Sequence, residues 1–178
     1  MAFDSQPILT GQLVMVRPLR SDDYSQLYAV AADPRIWEQH PARNRYEETV
    51  FREFFAESLA SGGALLVTDA ETKRVIGSSR YFGYREKERE VEIGWTFLAR
   101  SHWGGRYNAD LKEVMLRHAF RFVDSVVFFV GPQNFRSRRA LEKIGASREA
   151  ECDAQGRTVY RITASVFRSN GLLGMQHP

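Results

Sequence analysis

The stretch from Glu90 to Val130 constrains the fold more than any other part of the chain. Glu90 to Leu98 reads as a strand, and Tyr107 to Phe122 as an amphipathic helix with Leu111, Met115, Ala119 and Phe122 near helical spacing. Val126 to Val130 is then a continuous apolar run, the kind of strand buried on both faces. A strand, a long helix and a second strand in succession form a crossover unit, so the sheet that holds them is mixed.

The flanking segments supply antiparallel strands. Leu13 to Pro18 is short and β-rich, while Ala64 to Asp69 and Arg74 to Phe82 are joined by a polar turn and run on into Glu90 to Leu98 as a meander. Ser21 to Ala32 reads as a helix opened by Ser21, Asp22 and Asp23 and stopped before Asp33-Pro34. Asn44 followed by Glu47 predicts a capping box for a second helix, which Gly62 and Gly63 end after Ser61. Asn134 should cap a basic helix that Gly145 terminates, and two strands, Ser147 to Cys152 and Thr158 to Phe167, complete the chain. No linker or repeat divides this series, so we expect one domain over 1–178, with a core from about 9 to 167 and two loose tails.

Composition narrows the function classes. One cysteine, Cys152, disfavours both a disulfide scaffold and a cysteine-based zinc module, and points to a reducing cytoplasm. No metal-ligand spacing, no export signal and no membrane-length apolar run is evident. Twenty-five basic against 22 acidic residues give a net charge of +3, suited to a phosphate-bearing ligand and too low for a nucleic-acid coat.

Two clusters are placed for chemistry. Arg100 to Asn108 holds Trp103, Gly104, Gly105, Arg106, Tyr107 and Asn108 between a strand and a helix start, where glycines allow close approach and free amides attract anions. The plainer alternative is a glycine turn with an aromatic anchor. Asn134, Ser137, Arg138, Arg139 and Lys143 form the second, otherwise a helix cap with a solvated basic face. Along Glu90 to Leu98, alternation assigns Val91, Ile93, Trp95 and Phe97 to one face and Glu90, Glu92, Gly94 and Thr96 to the other. Glu92 is thereby a carboxylate off the apolar face, beside a glycine that leaves room; a salt-bridged strand charge is the alternative. Trp37, Arg80, Tyr81 and Tyr84 either line an acceptor side or simply pack. Lys112 is placed to approach phosphate or to remain solvated, and His102 and His118 read as packing residues.

The element order, together with Leu9 to Leu19, Val91-Glu-Ile-Gly-Trp95, Trp103-Gly-Gly-Arg-Tyr-Asn108 and Asn134 to Gly145, resembles the GNAT (general N-acetyltransferase) superfamily, and within it the branch of ribosomal-protein N-terminal acetyltransferases. The resemblance implies a mostly antiparallel sheet with a splayed parallel pair around an acetyl-CoA site. Trp103 to Asn108, with Asn134 and Ser137, would hold acetyl-CoA as cosubstrate, and Thr96, Phe97 and Leu98 would pair with its pantetheine arm. Glu92 would be the general base, acting on an amine-bearing acceptor, a small molecule or a protein N-terminus; a homodimer is compatible. Two positions depart from the family pattern. Arg106 and Asn108 stand where glycine or alanine is usual, Arg106 adding charge and Asn108 capping the helix by its side chain. Leu141 occupies the position of the tyrosine acid, leaving Ser137 or a water to protonate the departing thiolate. The implied function is direct acetyl transfer in a ternary complex; the rival is an acyl-CoA-binding sensor or scaffold without turnover.

Overall fold

The computed structural model describes residues 2–170. Among these residues, eight strands form one sheet in the order β1-β2-β3-β4-β5-β6-β8-β7. They are β1 (Leu9–Thr10), β2 (Val14–Pro18), β3 (Ala64–Asp69), β4 (Val75–Arg85), β5 (Glu90–Leu98), β6 (Ser125–Val130), β7 (Ser147–Cys152) and β8 (Thr158–Thr163). Every neighbouring pair is antiparallel except β5 with β6, the pair that the crossover helix joins. The mixed sheet expected from the sequence is the one observed.

Among the described residues five α-helices flank the sheet: α1 (Tyr24–Ala31), α2 (Glu48–Ala60), α3 (Arg106–Ala119), α4 (Phe135–Lys143) and α5 (Ala164–Ser169). Leu27 and Ala31 of α1 and Phe51, Phe54 and Phe55 of α2 bury against Leu66 and Phe97. Leu111, Met115 and Ala119 of α3, with Leu141 and Phe167, bury against Val91, Ile93, Val126 and Phe128 on the other side. No helix among the described residues is long and apolar enough to cross a membrane.

Several local expectations are corrected. Asn44 and Glu47 form no capping box: Glu47 occupies the cap position of α2 without a side-chain bond, and its amide instead donates to the Asn44 carbonyl at 3.0 Å in a turn. Ser21–Asp23 is a 3-10 turn before α1, with the Asp23 carboxylate accepting from the Arg20 amide and pairing with Arg17. The run 158–167 is not one strand, because the Thr163 hydroxyl accepts from the Val166 amide and starts α5. Asn134 does cap α4, accepting from the Ser137 amide at 3.2 Å, and Gly145 is left-handed at φ +88°.

The chain's beginning is also not loose where it is described. The Phe3 ring stacks on Tyr84 and meets Tyr81, His118 and Phe122, while the Ser5 hydroxyl donates to the Gly62 carbonyl. The C-terminal tail expected to be loose lies largely outside the described residues.

Candidate active site

β5 and β6 pair only from Glu90 to Glu92 against Ser125 to Val127. A buried ionic knot fixes that short zipper: the Glu90 carboxylate is paired with Arg85 and Arg161 and accepts from the Ser125 hydroxyl. Past Glu92 the strands diverge, and the gap opens into a cleft of about 940 Å³ lined by Ile93 to Leu98 on one wall and Phe128 to Gly131 on the other. The starts of α3 and α4 border it. One carboxylate, Glu92, and six Lys or Arg residues line this cleft, an excess of positive charge that would suit an anion.

A bulge shapes the wall. Ser78 lies opposite Phe97 but Arg80 lies opposite Gly94, so β5 carries one extra residue there, and Trp95 adopts φ +53° to accommodate it. The simple alternation therefore fails. Val91 and Ile93 bury toward α3, whereas Trp95 and Phe97 bury toward α1 and α2, and Thr96 turns toward α3. Glu92 and Thr96 do not share a face, contrary to expectation.

At the start of α3, Gly104 and Gly105 sit at φ +104° and +102°, a region that side chains resist, with open space where a Cβ would project. Gly105 is the cap, and no side chain caps the helix. The first-turn amides are thus left without protein partners inside the helix, as an anion site requires. Asn108 is the third helical residue and lines the cleft instead of capping, and Arg106 and Tyr107 are not among its lining residues. The Tyr107 hydroxyl donates to Asp69 at 2.7 Å, and its ring meets His102 edge-on. Asp69, which also accepts from the Glu71 and Thr72 amides, is held far below the usual carboxylate range by these bonds and anchors the loop to β3. Trp103 donates from its indole nitrogen to the Leu98 carbonyl at 3.0 Å and lies under the Arg136 guanidinium.

Glu92 stands at the apex, where pairing ends. Burial pushes its carboxyl up to about 7, against the opposing pull of Arg157 and Arg80. A Cβ on Gly94 would come within 2.9 Å of its Oε1, so glycine leaves the space the carboxylate uses. Asn134 and Ser137 reach the cleft from the first turn of α4, and Trp37 from the α2 side. Three of the four acceptor-side candidates do not line it. Arg80 is buried against Ser58, Phe54 and Trp95, and Tyr81 is in the core, donating to the Met115 carbonyl. Tyr84 stacks on Phe3.

Nothing in the sequence singles out His40 and Arg45, which also line the cleft. His40 is half-buried and neutral, pushed down to about 4 by desolvation and the Arg45 charge, and its Nδ1 accepts from the Ala42 amide. Lys112, expected at phosphate or in solvent, is 5% exposed. Among the described residues no group of three or more His, Cys, Asp or Glu is placed to hold a metal ion.

Solved structures share this architecture. An acetyltransferase from Agrobacterium tumefaciens is 26% identical with a TM-score of 0.69, covering 88% of this chain and 94% of its own. A GCN5-related N-acetyltransferase from Brucella melitensis is 16% identical with a TM-score of 0.79, over 97% and 86%. Mycobacterium smegmatis RimJ in complex with CoA-disulfide is 20% identical with a TM-score of 0.65, over 90% and 87%. Comparison with curated protein sequences gives no match. The model of the acetyltransferase (GNAT) domain matches residues 14–147, most of the chain and all of the splayed-strand region, and the chain therefore belongs to the GNAT acetyltransferases.

Proposed function

We propose that the protein is an N-acetyltransferase that moves an acetyl group from acetyl-CoA directly to a primary amine, small molecule or protein N-terminus, in a ternary complex. The observation that carries this is the cleft itself: an uncapped, glycine-started helix at one end, an open strand edge along its wall and a single raised carboxylate at its apex. The α3 amides with Gly104, Gly105 and Asn108, joined by Asn134 and Ser137 of α4, would hold the pyrophosphate. The backbone from Thr96 to Leu98, unpaired by β6, would pair with the pantetheine arm. We place the whole activity in one domain with a core from about 9 to 167, working in the cytoplasm.

Glu92 serves as base. Only a neutral amine attacks, and an α-amino group near pKa 8 or a lysine near 10.4 needs a proton acceptor close to neutrality. A carboxyl raised to about 7 is matched to that demand far better than one at 4.5. Holding thioester and amine together removes several kcal/mol of barrier, so positioning carries the rest. The test measures free thiol release from acetyl-CoA over a panel of primary amines, alongside the CoA-induced rise in melting temperature. Amine-dependent thiol release supports the reading. A melting shift without turnover of any amine would favour a binding module, and no shift at millimolar CoA would remove the acyl-CoA reading altogether.

A further inference from the structure

The Lys112 ammonium bridges the gap between the diverging strands. Its Nζ donates to the Thr96 hydroxyl of β5 at 2.9 Å and lies 5.3 Å from the centre of the Phe128 ring of β6. The Thr96 hydroxyl is itself 2.8 Å from the Ser79 hydroxyl, so Thr96 is held in place from behind by β4. An ammonium has three N–H donors, and the structure gives this one a single protein acceptor. It is buried, lines the cleft and, among the described residues, forms no ion pair.

The groups that face the same space are Glu92 at the apex of β5, His40 and Arg45 before α2, His102 before α3, Arg136, Arg139 and Lys143 of α4, and Arg157 before β8. Burial alone pushes Lys112 down to about 7, because no nearby carboxylate offsets it. A buried, unpaired cation costs stability in the free protein. The cost is recovered when an anion forms beside it.

Resting on the acyl-CoA reading above, we propose that Lys112 is a catalytic residue whose ammonium pairs with the departing CoA sulfur. A pantetheine arm running along Thr96 to Leu98 would carry its sulfur past Thr96, the residue Lys112 grips. In the step, the acceptor nitrogen forms its bond to the acyl carbon. The carbon–sulfur bond breaks with its electron pair on sulfur, which leaves as a thiolate against the Lys112 ammonium. The proton lost by the acceptor nitrogen goes to Glu92 and from there to solvent water. Leu141 of α4 is buried in the core, and neither it nor the neutral Ser137 hydroxyl brings positive charge to that sulfur.

The experiment titrates the thiol of bound CoA by its ultraviolet thiolate absorbance, for wild type, Lys112→Met and Lys112→Arg. Beside the ammonium, the bound thiol should ionise about one pH unit or more below the roughly 8.5 of a free thiol. K112M should bind CoA, return the thiol to its free value and lower kcat about 10²-fold, with K112R keeping part of the thiol shift. CoA binding to wild type with an unshifted thiol overturns the proposal alone, and absence of CoA binding overturns the acyl-CoA reading with it. Loss of turnover in K112M confined to a carboxylate-bearing donor such as succinyl-CoA also overturns it, since the ammonium would then serve the acyl end. Melting curves of both variants, and the retained shift in K112R, separate loss of chemistry from loss of fold.

Discussion

Replacing Glu92 by Gln should make the protein more stable and less active at once, and the two effects have separate pH signatures. In the folded chain this carboxyl stands at about 7 rather than 4.5, with burial the leading cause. Between those values the native state holds a proton that the unfolded chain has released, so stability falls as pH rises through the window and levels off above it. The full displacement corresponds to about 3 kcal/mol at ~1.4 kcal/mol per tenfold change. Glu92 still meets solvent in the cleft, and screening there leaves about 1.5 kcal/mol. For a chain of this size that is roughly 3–6 °C in Tm. Thermal melts at pH 5 and pH 8 should show E92Q ahead of wild type mainly at pH 8. Turnover should fall about 10²- to 10⁴-fold near neutrality, with partial recovery at high pH where the amine is already neutral, while CoA affinity stays. A Tm gap of equal size at both pH values would refute the burial argument, and wild-type turnover near neutrality would refute the base.

Other substitutions probe the frame around the cleft. Gly105→Ala places a side chain at φ +102° and should cost about 1–2 kcal/mol from backbone strain alone, with a larger proportional loss in CoA affinity measured by calorimetry. Gly94→Ala crowds the Glu92 carboxylate, so kcat should fall while CoA-induced stabilisation is kept. Asp110→Ala removes the acceptor for the Gln12, Leu13 and Val14 amides and should lower stability by about 2–4 kcal/mol, read by denaturant titration.

What the sequence disclosed follows from how local each signal is. The crossover at Glu90 to Val130, the Asn134 cap and the left-handed Gly145 are set by neighbours within a few residues, and all are legible. The face of Thr96 was not, because a bulge at Trp95 depends on the register of β4 against β5 and leaves no mark on an alternating run. Tyr81 and Arg80 flank each other on β4 as plausible cleft residues, yet packing by Met115 and Phe3 on one side and Ser58 on the other takes both away. Lys112, left open between phosphate and solvent, is buried against Thr96 for a related reason. A lysine on an amphipathic helix reads as solvated unless the opening between two distant strands is known to pass over it.

The docking of Phe3 carries a consequence for the order of assembly. The carbonyl of Asp4 lies 2.7 Å from the His118 Nε2 across a separation of 114 residues, and Ser5 reaches Gly62 across 57. During synthesis, residues 3–5 emerge long before α3 and β4 exist to receive them, so these contacts close last and rest on a sheet that is already formed. That makes the segment a latch on a finished body rather than a part of its nucleus. Removing the Phe3 ring should accordingly hasten unfolding and leave the folding rate almost unchanged.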